Sequence, residues 1–155
     1  MKRKLLLGIL VLVGIFTITG CAADNEELNK TNVKKETFYE LKYVEPKNYS
    51  SVSDFGNSDN KSKNYIYGDA DGSININYQK GKDYSEVEES YYNKHTEKDI
   101  NGTTWRVMDD NSAGVTSRFY YTVYNNDLYL IELNGIDDYQ EPMMDFINNI
   151  SFKDW

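Results

Sequence analysis

The stretch RFYYTVYNNDLYLIEL, residues 118–133, carries large side chains at almost every position and is interrupted only by Asn125-Asn126-Asp127. β-branched and aromatic residues suit a pleated surface. A short Asn/Asp cluster between two such runs marks a hairpin. Strands are therefore expected at Arg118–Tyr124 and Leu128–Leu133. A strand with one wet face alternates apolar and polar residues. Here both faces carry bulk, which places the pair at the centre of a sheet.

Working outward, Lys98–Ile100 and Thr103–Met108 flank Asn101-Gly102, a strong two-residue hairpin signal. Before them, Asp83 or Ser85 can cap a helix whose first turn holds Glu86, Glu88 and Glu89, with Tyr84, Val87 and Tyr91 on one face. Asn64–Gly68 and Ser73–Gln79 form a further hairpin across residues 69–72. Ile74, Ile76 and Tyr78 alternate there with Ser73, Asn75 and Asn77, as in a half-buried strand. Residues 47–63 are rich in Asn, Ser, Asp and Lys, anchored only by Tyr49, Val52 and Phe55, and suggest a long loop. In residues 38–43, Tyr39, Leu41 and Tyr43 share one strand face, and Pro46 ends the strand. Beyond the central hairpin, Pro142 suits a first helical turn, and Met143, Phe146, Ile147 and Ile150 follow a helical stripe. Residues 151–155 would add a last short strand. Hairpins dominate, so the expected fold is α+β: a mainly antiparallel sheet of about six to seven strands with two helices packed on it, in a single domain at 37–155.

The N-terminal region obeys different rules. Lys2, Arg3 and Lys4 precede an apolar run from Leu5 to Ile18, which ends at Ile18-Thr19-Gly20-Cys21. A basic start, an apolar core and a small-residue cleavage site make a secretory signal. The run is shorter than the roughly 20 apolar residues a membrane-spanning helix needs. Its last four residues resemble the lipobox of bacterial lipoprotein precursors. That resemblance implies cleavage after residue 20 and a thioether-linked diacylglycerol on Cys21. Residues 22–36 are too polar to bury a core and would be a flexible tether, with a reach of roughly 20 Å.

Removing residues 1–20 leaves 135 residues of the 155, and removing their three basic charges takes the net charge from −8 to −11. A strongly acidic chain is a poor ligand for phosphate backbones, so nucleic acid is not an expected partner. Anionic headgroups would repel it as well, leaving the N-terminal lipid as the expected membrane attachment. Cys21 is the only cysteine, so the domain must be held by its core and not by disulfides.

Candidate chemistry is sparse. Residues 68–75 have the Asp/Gly pattern of a calcium loop, but Tyr67 and Tyr78 fall where an EF-hand needs carboxylates, and turn chemistry accounts for the pattern. His95, the only histidine, cannot by itself anchor zinc or a triad, and a place at a helix end suits it. Asp109/Asp110 and Asp137/Asp138 are adjacent pairs that turns and a helix N-terminus explain. Trp105, Tyr120, Tyr124 and Tyr129 could make an aromatic surface for sugar or peptide, or could be cross-strand core. No cofactor, metal or catalytic set is expected.

The element order resembles the Mog1/PsbP-like group of small α/β proteins, many of them bacterial lipoproteins. The likeness covers roughly residues 38–155. It is carried by Ile100-Asn101-Gly102 before Trp105-Arg106, by Tyr120-Tyr121-Thr122 and Leu128-Tyr129-Leu130-Ile131, and by Tyr139 and the closing segment from Phe146 to Phe152. The resemblance implies an extracytoplasmic accessory or binding domain without an activity of its own. Together with the lipobox it gives the expectation of a non-catalytic protein at the outer face of the cell membrane, with a protein or cell-envelope ligand. A protective lipoprotein that neutralises a secreted toxin, and an envelope hydrolase using paired carboxylates, are the competing expectations.

Overall fold

The computed structural model describes residues 33–67, 72–87, 94–111 and 114–154. Cys21, the leader and most of the expected tether lie outside them, as do Glu88, Glu89, Tyr91 and residues 68–71.

Nine strands and one long helix are described: β1 Lys35–Phe38, β2 Leu41–Val44, β3 Tyr49–Gly56, β4 Asn60–Tyr67, β5 Gly72–Gln79, β6 Thr96–Ile100, β7 Thr103–Asp110, β8 Ser117–Tyr124, β9 Asp127–Asn134 and α1 Ile136–Asn148. A helical turn at residues 85–87 follows Asp83, whose carboxylate accepts from the Ser85 amide at 2.9 Å. β1 and β2 pair by themselves, and the other seven strands form one sheet in the order β3-β4-β5-β9-β8-β7-β6. Every pairing in it is antiparallel. The fold is α+β.

β9 lies at the centre of that order with β8 beside it, as the bulk on both faces of residues 118–133 requires. Tyr129, Ile131 and Leu133 point to one face, while Leu128 and the half-buried Leu130 point to the other. The first face is the larger core. The β1–β2 hairpin and α1 cover it through Phe38, Leu41, Tyr43, Met143, Phe146 and Ile147. Among the described residues, the second face is closed at one end only, where Tyr84 and Val87 pack on Phe119, Tyr121 and Leu128. The Arg106 guanidinium lies over the Tyr84 ring there, 3.7 Å from its centroid.

The tight turns follow their residues. Asn125 and Asn126 both have positive φ, 51° and 68°, as do Asn101 and Gly102 at 52° and 78°. Two left-handed residues in a two-residue loop match the twist of the flanking strands. The turn after β8 is thus Asn125-Asn126 alone, and Asp127 pairs with Tyr124.

Four sequence expectations are corrected. Residues 47–63, expected as a loop, instead form β3 and the first half of β4. β3 is an edge strand with most of its residues exposed on both faces, so no apolar alternation marks it. Its turn is built by Asn57, whose side-chain oxygen accepts from the amides of Asp59 (2.9 Å) and Asn60 (3.0 Å). Residues 38–43 are not one strand either: the chain turns at Tyr39-Glu40, and Phe38 pairs with Leu41. Tyr39 takes φ 55° and lies 38% exposed, so it does not share the buried face of Leu41 and Tyr43. Lys35 and Glu36, expected in the tether, belong to β1. The C-terminal segment makes a single bridge, Ser151 to Lys42, in place of a strand.

α1 begins earlier than its apolar stripe suggests and is bent. Tyr139 departs from helical geometry at φ −119°, ψ 28°. Pro142 explains the bend, because its ring crowds the carbonyl four residues back and it offers no amide hydrogen. Pro142 therefore sits in the first turn of the second segment.

Candidate functional site

The four aromatic candidates come together, but as core. Trp105 on β7, Tyr120 on β8 and Tyr129 on β9 are buried, and Tyr124 at the end of β8 is half-buried beside them. Phe152, from the segment after α1, organises three of them. Its ring stacks on Tyr124 at 4.1 Å and on Trp105 at 5.9 Å, and meets Tyr129 edge-on at 4.8 Å. Burial pushes the Tyr129 hydroxyl up to about 12, and its oxygen accepts from the Glu40 amide at 3.3 Å. Trp105, Tyr120 and Tyr129 therefore present no exposed ring face. Sequence reasoning gave Phe152 no role, because its partners lie on three strands far from it in the chain.

Beside this core, the margin of Tyr120 floors an open groove of about 520 Å³ between β6, β7, β8 and Met144. Two of its charges pair with each other. Arg118 donates through Nε and Nη2 to Asp109 at 2.6 and 2.9 Å. The guanidinium holds the Asp109 carboxyl below the ordinary carboxylate range. The Lys98 ammonium lies 6.0 Å from the centroid of the Tyr120 ring, and His95 on the rim meets the Tyr121 ring edge-on at 6.3 Å.

The two carboxylate pairs lie on different elements. Asp109 faces Arg118, Asp110 follows it on the opposite strand face, and Asp137 and Asp138 stand in the first turn of α1. Among the described residues no three His, Cys, Asp or Glu side chains gather as a metal site. Of the calcium-like stretch, Asp69 and Asp71 lie outside the described residues. Gly72 opens β5, and the flanking Tyr67 and Tyr78 are buried.

The second face of the sheet has a different character over β3, β4, β5 and β9. In register across these strands stand Phe55, Ser62, Asn77 and Leu130; then Ser53, Asn64, Asn75 and Glu132; then Ser51, Ile66, Ser73 and Asn134. The polar members are all half-buried or exposed, and no described element covers them. They bond to one another between strands: Ser62 Oγ to Asn77 Oδ1 at 2.6 Å, Asn75 Nδ2 to Glu132 Oε2 at 3.2 Å, and Asn134 Nδ2 to Ser73 Oγ at 3.2 Å. Ser117 adds a bond to Asn134 Oδ1 at 2.6 Å. The alternation of Ser73, Asn75 and Asn77 signals one row of this face in the sequence. The rows from β3 and β4 are hidden by the loop-like composition of residues 47–63.

No protein-family model matches the chain, and no curated protein matches it.

Proposed function

We propose that the protein is a lipid-anchored, non-catalytic binding or accessory protein of the bacterial cell envelope, held at the outer face of the cytoplasmic membrane through Cys21. One observation carries this reading. A basic start, the apolar run of residues 5–18 and Ile18-Thr19-Gly20-Cys21 stand in the order a lipoprotein precursor requires, and Cys21 is the only cysteine. The Cys21 thiolate would displace the headgroup phosphate of a membrane phospholipid at its glycerol carbon, forming the thioether and releasing the phosphorylated headgroup; hydrolysis of the Gly20–Cys21 peptide bond then leaves two acyl chains on the new terminus. Two chains hold a protein stably where one gives marginal binding. The Mog1/PsbP-like resemblance belongs to the same proposal and points to a partner-binding domain.

The test is labelling of growing cells with an alkyne-tagged fatty acid. The wild-type chain is expected to take up label and sediment with membranes, whereas Cys21→Ser takes up none and leaves the membrane fraction. Equal labelling of both chains would sink the proposal.

A further inference from the structure

We infer that the open polar face of β3, β4, β5 and β9 binds a neutral glycan chain, laid across the strands with Phe55 against one sugar ring. The residue choice is the first argument. Asn and Ser are poor strand formers, since their side chains compete with the ladder for backbone hydrogen bonds. Yet Ser53, Ser62, Asn64, Ser73, Asn75, Asn77 and Asn134 occupy paired positions on this one face. Thr, Lys or Glu would keep such a face soluble at less cost to the sheet. A surface of amides and hydroxyls in their place offers donors and acceptors together, which is what a polyhydroxylated ligand needs.

Charge is the second argument. The chain is 27% charged with a net charge of −8, but on this face Glu132 is the only charged side chain of β4, β5 and β9. A neutral ligand can settle there without stripping water from a set of unpaired ions. Pre-organisation is the third. The bonds between strands fix three of the four amides, those of Asn75, Asn77 and Asn134: Asn77 accepts through Oδ1, directing its NH₂ elsewhere, and Asn75 donates through Nδ2, leaving its oxygen as an acceptor. Side chains already ordered lose less entropy on binding. Phe55, 59% exposed at the margin of the array, supplies an apolar ring for the C–H face of a sugar. Four strands span about 14 Å, room for a short run of sugar units.

The inference deepens the proposed function by naming the ligand class, and rests on it only for where the glycan is met. It is tested by saturation-transfer NMR on the detergent-solubilised full chain with chitotetraose, cellotetraose and maltotetraose, each at millimolar concentration. At least one is expected to bind. Phe55→Ala and the double variant Asn75→Val/Asn77→Val are expected to weaken it about tenfold each, while Glu97→Gln on the far edge strand leaves it unchanged. Valine raises strand propensity, and circular dichroism verifies each fold. Failure of all three sugars to bind, or equal binding by every variant, overturns the inference. Intact Cys21 labelling with no glycan bound removes the inference alone, whereas lost labelling with glycan bound removes only the anchor.

Discussion

Asn101 answers two needs with one side chain. Its φ of 52° fits the left-handed turn between β6 and β7, a conformation that Asn tolerates better than most residues. Its Nδ2 donates to the carbonyls of Asn148 at 3.0 Å and Ile150 at 2.8 Å, which satisfies acceptors left over at the end of α1. The turn was legible from Asn101-Gly102, but the second duty was not, since its partners lie nearly fifty positions along the chain. Asn101→Gly separates the two: glycine keeps the turn and deletes the amide. It is expected to lower stability by about 1–2 kcal/mol in urea unfolding. A loss within error would mean that the two bonds are dispensable. Tyr39 shows the converse. A tyrosine at positive φ has no sequence signature, and it is held there by its stack on Tyr78 (3.7 Å) and by its hydroxyl donating to the Ser58 carbonyl (3.1 Å).

At the level of elements, the segment after α1 contributes more than its lack of regular structure suggests. Ser151 exchanges two backbone hydrogen bonds with Lys42, at 2.7 and 2.8 Å. Lys42 also pairs with Asp154. These contacts fasten the β1–β2 hairpin beside the aromatic core that Phe152 completes. Phe152→Ala would leave the faces of Trp105 and Tyr124 without a partner and open a cavity. A loss of about 3 kcal/mol is expected, with a blue-to-red shift of tryptophan emission as Trp105 meets water. Unchanged emission would show that the core closes without it. β3 makes the same point from the other edge: a strand defined only by backbone pairing leaves no apolar pattern to detect, so its residues resemble loop.

Across the whole molecule, the tyrosine-rich core sets an alkaline limit. Burial raises the pKa of Tyr43, Tyr65, Tyr67, Tyr120 and Tyr129. Tyr43 and Tyr65 also share a hydroxyl–hydroxyl contact of 2.9 Å. An unfolded tyrosine ionises near about 10, so each buried one stays protonated where its unfolded counterpart has lost its proton. The associated stability is complete below that unfolded value. It falls as pH rises toward the folded pKa, by up to about 1.4 kcal/mol per pH unit for each residue. The share of phenolate absorbance that comes from these five residues is therefore expected to rise in one cooperative step together with loss of far-ultraviolet dichroism, above about pH 10. A gradual rise with unchanged dichroism would show that the buried hydroxyls titrate in the folded state.

The sequence by itself determined the α+β class, the central hairpin, the Asn-Gly turn and the apolar stripe of α1. Each is written in local patterning, where a side chain's neighbours in sequence report which face it takes. It also holds the linear pattern of residues 1–21 on which the proposed lipid anchor rests, and such a pattern needs no fold to be read. Tertiary structure alone decided that Trp105, Tyr120 and Tyr129 are core with Tyr124 half-buried beside them, and that no described element covers the polar face on the other side. Whether a ring is buried depends on what covers it, and here the cover comes from the β1–β2 hairpin, α1 and Phe152, segments that precede or follow the sheet in the chain. The Asn and Ser rows become a surface only when β3, β4, β5 and β9 align in register, because the pairing of strands distant in sequence is set by the whole sheet.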